Sequence, residues 1–352
     1  MQKPFTRMFS GNKKLVSYVV AVGFLLLAIF LGIAIGAVHV PFKNIAAIIW
    51  REIFQIQQNN EADLLSNIVM NIRLPRVILA GLVGAALAMA GAAFQGLLRN
   101  PLADPYTLGV SSGASVGAVV VLFFQLSLPF AGIFTLPILS IAASFITIFL
   151  VLFFARTIEP SLKVETIILT GIIFSSFLGA VLSLMIALSG EELRQIIGWL
   201  LGSVSMRGWS YVRIILPFFI IGGFILMMNV RELNAMSFGE DRAKYLGVNV
   251  ERRKLAILLA GSLLTGAAVA VSGTIGFVGL VIPHFVRMLS GPDHKHLLPL
   301  SIFVGAGFLI LADLVARTII QPAELPIGVI TALIGAPAFA GILVKRRMER
   351  RG

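Results

Sequence analysis

The residues able to do chemistry in this chain are few. Asp313 and Arg317 are the charged pair inside a long apolar run, and their i,i+4 spacing puts them on one helix face where they neutralise each other. A carboxylate in that setting is the type of group that couples movement to a proton or sodium gradient. A carrier driven that way needs more buried ionisable groups than one self-paired couple, so the driving force is expected from elsewhere. Asp293, His294 and His296 offer three ligand-type side chains in four residues, a spacing read here as a solvated turn, with no metal assigned. The chain has no cysteine, which excludes disulfides, thiolate metal sites and thiol catalysis. It also has no G-x-x-x-x-G-K-[ST] loop, no triad and no carboxylate pair in a defined site. An enzyme is not expected, nor a cofactor on this chain.

The other constellations are backbone devices. Gly273, Gly276 and Gly279 stand three apart and are followed by Pro283, in GTIGFVGLVIPHFVR. A helix so composed is expected to break or kink, which a bilayer tolerates only against protein or a water-filled path. Pro101 and Pro105, in RNPLADP, are expected to act similarly. These five positions, with Pro105 secondary to Pro101, are the candidate helix break or gate.

The elements around them are set by composition. The 352 residues are 58% hydrophobic, with 28 Lys and Arg against 16 Asp and Glu. Mean hydropathy is +0.97. This is the composition of an all-α polytopic membrane protein, a single transmembrane domain over residues 1–352. Ten spans are predicted, at about 15–38, 77–98, 107–126, 136–155, 166–189, 211–230, 255–272, 275–290, 297–320 and 326–344. The first run exceeds a signal-peptide core and is expected to be retained. Phe42, Ile45, Ile48, Ile49 and Ile53 fall at helical spacing between spans one and two and predict a surface helix. Residues 195–206 are too short to span and are expected to be interfacial or re-entrant.

A net charge of +12 does not indicate nucleic acid, because the basic residues lie between apolar runs. With the N-terminus inside, twenty of the 28 Lys and Arg fall on the inner side. Lys43, Arg51, Arg73, Arg76, Arg194, Arg207, Arg213 and Arg317 fall on or near the outer side. The positive-inside rule then puts both termini in the cytoplasm of a cell-membrane, multi-pass protein.

Residues 231–254 are the densest polar stretch, with ten charges in 24 residues between uncharged runs 214–230 and 255–283. Apolar residues at Ala235, Met236 and Phe238, then Gly239, then Ala243, Tyr245, Leu246 and Gly247 predict two short helices around a glycine break. Such a knob, water-facing and on the cytoplasmic side, suits docking. A solvated connector explains the charge alone.

An internal repeat relates two halves, about 77–190 and 255–345. Gly84-Ala-Ala-Leu-Ala-Met-Ala-Gly91 recurs as Gly266-Ala-Ala-Val-Ala-Val-Ser-Gly273, and a proline follows ten residues after each closing glycine. The copies lie five spans apart and therefore run in opposite directions, an inverted-topology repeat of the kind built into transporters.

Several stretches resemble the permease subunits of ABC importers for ferric siderophores and cobalamin. They are Ile72-Arg-Leu-Pro-Arg76, the GAALAMAG run, Arg99-Asn-Pro-Leu-Ala-Asp-Pro105, Leu108-Gly-Val-Ser-Ser-Gly-Ala114, Gly276 to His284, Leu311 to Arg317, and Ala323-Glu-Leu-Pro-Ile-Gly-Val329. The resemblance covers about residues 15–345. It implies a second permease copy, identical or related, and two cytoplasmic ATPase subunits that hold ATP and Mg. It also implies an extracytoplasmic binding protein, all in a lipid bilayer. By the same resemblance Ser237, Phe238, Gly239, Glu240, Asp241, Ala243, Leu246 and Gly247 are the ATPase-coupling segment. Arg73, Arg76 and Arg317 match arginines that meet acidic residues of the binding protein. The family's inner gate corresponds to Thr157-Ile-Glu-Pro-Ser-Leu-Lys-Val-Glu-Thr166, more charged here than in the cobalamin type. The expected cargo is a ferric siderophore, then cobalamin, then haem. The alternative class is an ion-coupled secondary carrier using Asp313.

Overall fold

The structure, a computed structural model, describes residues 6–36, 40–41, 45–48, 50, 60–129 and 131–349. Phe42, Ile49 and Ile53 of the expected surface helix lie outside the described residues, while Ile45 and Ile48 are buried. The described residues form helices and connecting turns. Seven helices are long and apolar enough to cross a bilayer, and three shorter apolar ones bring the total to the ten expected.

In chain order these are α1 (Thr6–Ala34), α2 (Asn60–Asn67), α3 (Leu74–Leu97), α4 (Val110–Phe123), α5 (Thr135–Ile158), α6 (Val164–Leu188) and α7 (Leu193–Leu200). There follow α8 (Gly208–Met228), α9 (Val230–Ser237), α10 (Glu240–Tyr245), α11 (Val250–Ser272), α12 (Val278–Ser290), α13 (His294–Thr318) and α14 (Ile327–Glu349). The second span is longer than its apolar run. A π-helical segment, Ile68–Arg73, joins α2 to α3 without interruption, so residues 60–76 extend the span instead of lying on the surface. Leu74 N–H bonds the Val69 carbonyl five residues back, just ahead of Pro75, which has no N–H to continue an α ladder.

α3 is buried along nearly its whole length, because its glycines and alanines let neighbouring backbones come close. At Gly84 a Cβ would overlap the Gly305 carbonyl of α13, and at Gly91 the Gly279 carbonyl of α12. The first glycine of the second copy, Gly266 in α11, packs on Ser144 of α5. Each copy thus packs on a long helix from the other part of the chain. The closing glycines differ. Gly91 lies within α3, whereas Gly273 terminates α11 with φ +71°.

Polar contacts fix the two ends of the bundle. At one end Asn234 of α9 bonds His294 and Asp293, and Tyr18 of α1 bonds His296 at 3.3 Å. At the other end Arg317 of α13 donates to the Gly32 carbonyl of α1. The 24 residues from His294 to Arg317 correspond to about 35 Å of helix, so the knob and the arginines lie at opposite ends of the bundle.

Candidate coupling knob, broken span and charge cluster

The 231–254 stretch folds as its glycines dictate. α9 ends at Ser237, whose hydroxyl caps back on the Leu233 carbonyl at 2.8 Å. Gly239 then takes φ +118°, ψ 149°, a conformation essentially reserved for glycine, and starts α10. α10 closes on Gly247, φ +81°. Val248 N–H bonds the Ala243 carbonyl at 3.0 Å and Gly247 N–H bonds the Lys244 carbonyl at 2.9 Å. This is a Schellman cap, so the knob is rigid at both glycines.

Its faces are not those read from the sequence. Ala243, placed by the resemblance in the ATPase-coupling segment, is fully buried in the chain's own core with Met236, Leu233 and Val250. The outward apolar residues are Phe238, Tyr245 and Leu246, at 70%, 92% and 72% exposure. Asp241 is exposed, while Glu240 turns inward to Lys254 at 2.6 Å. Lys254, grouped by sequence with a water-facing run, is itself fully buried. On the turn before α6, hydrogen bonds from Ser161 and then Lys163 hold the Glu159 carboxyl below its usual range.

The broken span lies where the glycines predicted, ahead of Pro283. Residues 273–277 are non-helical, and α12 resumes at Val278. The exposed backbone groups are met in protein: Ser272 carbonyl by Ser203 N–H at 2.7 Å, and Ile275 N–H by the Tyr106 hydroxyl at 2.8 Å. Thr274 hydroxyl donates to the Leu200 carbonyl, which is where the short helix α7 ends. A Cβ at Gly273 would overlap the Trp199 carbonyl, whereas Gly276 faces open space. Gly279, on the first turn of α12, sits against Pro105, which opens the 3-10 turn Pro105–Leu108 ahead of α4. Pro283 stands inside α12 and cannot bond the Gly279 carbonyl four residues back. Gln95 of α3 supplies the missing donor, its Nε2 at 3.3 Å from that carbonyl and 3.1 Å from Leu280 O. Pro101 lies beyond α3, in a turn where Ala103 N–H bonds the Asn100 carbonyl at 3.0 Å. It borders a cavity of about 530 Å³ shared with Gln95, Phe238 and His294.

The three arginines converge with acids. Arg76 grips Asp313 through Nε and Nη2 at 2.9–3.1 Å and Glu324 through Nη1 and Nη2 at 2.9–3.0 Å. Asp313 is therefore paired chiefly with Arg76, and Arg317, its expected partner, stands 3.8 Å away. Arg73 and Arg317 are buried and donate to the last carbonyls of α1: Arg73 to Ile33 and Ala34 at 2.7 and 3.0 Å, Arg317 to Gly32. They place positive charge on a helix C-terminus, where the macrodipole favours it. Hydrogen bonding to Arg76 holds the Glu324 carboxyl below its usual range. Asp293 and His294 are likewise occupied, the first capping Lys295 N–H and the second bonding Asn234 Oδ1 at 2.8 Å.

Comparison with known proteins agrees with this architecture. Residues 24–345 match the FecCD transport family. An uncharacterised ABC transporter permease of Bacillus subtilis, YvrB, is 61% identical over 351 residues, covering 100% of this chain and 99% of that protein. The hemin transport system permease of Yersinia pestis is 38% identical, covering 94% and 97%. The cobalamin import permease of Halobacterium salinarum is 43% identical, covering 80% and 74%. A solved metal-chelate type ABC transporter in an inward-facing conformation superposes with a TM-score of 0.81 at 34% identity, covering 93% of this chain and 98% of that one. This chain is a FecCD-family permease of the ABC-importer type.

Proposed function

We propose that the chain forms the translocation path of an importer for a ferric siderophore, with cobalamin and then haem as the next candidates. Two permease copies, identical or related, enclose the path. Two ATPase subunits carry ATP and Mg and seat on the knob. An extracytoplasmic binding protein delivers the cargo at the arginine end, and both termini are cytoplasmic. The observation that carries this reading is the knob. Its inner face is buried in the core through Ala243, and its outer face presents Phe238, Tyr245 and Leu246 to water. An exposed aromatic and aliphatic patch on a rigid support is the signature of a docking surface, and aromatic side chains dominate such contacts. The metal-chelate, hemin and cobalamin relatives support the cargo class.

At the arginine end, Arg76 is the residue placed to meet a partner's carboxylate, by exchange with the half-exposed Glu324. Arg73 and Arg317 serve this site from within, by holding α1. The ion-coupled alternative fares worse, because Asp313 is already neutralised by a forked guanidinium.

Reconstituted in vesicles with its ATPase and binding protein, the chain is expected to give uptake that requires ATP and survives collapse of proton and sodium gradients. Mass spectrometry of the ligand captured with the binding protein is expected to return a ferric chelate. Uptake that follows the gradients and ignores ATP would support the Asp313 carrier instead.

A further inference from the structure

Lys254 is a buried cation that none of the steps above uses. It lies on the first turns of α11, fully enclosed, among the largest side chains with no exposure. Its Nζ donates to Glu240 Oε1 on the knob at 2.6 Å and to the carbonyl of Leu162 at 2.7 Å. Leu162 belongs to the turn between α5 and α6, 92 residues away in sequence. That turn is stiff: Leu162 is buried with φ +50°, its N–H bonds the Glu159 carbonyl at 2.9 Å, and Ser161 and Lys163 both bond the Glu159 side chain. Elsewhere a polar cleft of about 430 Å³, lined by Ser161 and Lys163 on one side and Gly239 to Arg242 with Lys244 on the other, separates turn from knob.

A buried ammonium is costly unless fully paired, and it stabilises the fold no better than an apolar side chain of similar size. Its presence here therefore calls for a reason other than stability. Both its partners are moving candidates: one sits on the docking knob, the other at the junction of α5 and α6. α6 has the least covered surface of the seven long helices, with Leu169, Ile173 and Phe177 facing outward. Energetic coupling between distant sites is carried by contiguous hydrogen-bonded networks of this kind.

We propose that Lys254 is a positioning residue, a strut that makes the 159–163 turn move with the coupling knob and so passes the ATPase's displacement to α6. This rests on the importer reading. The test uses the whole complex with its ATPase, and spin labels on cysteines at Lys163 and Lys244, two exposed positions in a chain that has no cysteine of its own. In the parent, the 163–244 distance is expected to stay the same with and without a non-hydrolysable ATP analogue. In Lys254→Met, nucleotide should shift or broaden that distance, while ATPase binding and ATP hydrolysis stay within about two-fold of the parent, below the usual range of a lost coupling. An unchanged distance in Lys254→Met would overturn the strut. Should that variant not accumulate, Glu240→Gln decides by the same shift, since it leaves Lys254 only the Leu162 carbonyl. A parent that binds no ATPase would refute the importer reading itself, a different outcome from a parental response in the variant.

Discussion

Asp313 receives the fork of Arg76 from 237 residues away and has Arg317 only at 3.8 Å. The i,i+4 neighbour was legible in the sequence because helical spacing is local, whereas Arg76 comes from another span and leaves no local trace. The same limit hid Lys254, whose burial depends on the turn at Leu162, and misplaced Ala243. In a six-residue helix almost any side can face inward, and tertiary packing alone chose Ala243 for the core and Tyr245 and Leu246 for water. Asp313→Asn is expected to leave the buried Arg317 without its carboxylate and the part-buried Arg76 with Glu324 alone, and to destabilise the fold by about 1–3 kcal/mol. Thermal unfolding of the purified variant in detergent checks this. A variant of full stability that had lost uptake would instead make Asp313 a coupling group.

The helices show a similar division. Spans were legible where apolar runs are long, and the break at 273–277 was legible because three glycines and a proline fall close together. The extension of the second span through residues 60–73 was not, since its Asn60, Asn67 and Asn71 read as polar surface and a π segment has no composition of its own. Nor was the role of Gln95, which looks like a stray polar residue in an alanine-rich helix but answers the carbonyl that Pro283 leaves free. Gln95→Leu should therefore cost about 1–3 kcal/mol, the usual penalty of an unmet buried polar group. Pro283→Ala restores an N–H four residues beyond Gly279, so in that background Gln95→Leu should cost much less. A double-mutant cycle by thermal unfolding measures the coupling, and additive losses would remove Gln95 from this role.

Across the whole molecule, the charge bias along the chain and the seating of Gly84 and Gly266 describe a bundle with two unlike ends. The knob forms one end, and the Arg76, Asp313 and Glu324 cluster forms the other. Met206, next to Ser205 on Arg76, and Tyr245 on the knob are both almost fully exposed. Cysteines at these two positions should react with an impermeant reagent from opposite sides of sealed vesicles, with Tyr245 reached from the cytoplasmic side. Reaction of both from one side would break the ten-span topology. The knob is the proposed seat of the ATPase that drives this permease, and its outer face is the place to measure it. Phe238, Tyr245 and Leu246 carry no internal packing that the core depends on, so changing all three to Ser should leave the unfolding temperature within a few degrees. Hot-spot aromatic contacts are worth about 2 kcal/mol or more each, so the ATPase should no longer co-purify and ATP-dependent uptake should fall at least about 30-fold. A stable triple variant that kept its ATPase and its uptake would contradict the claim.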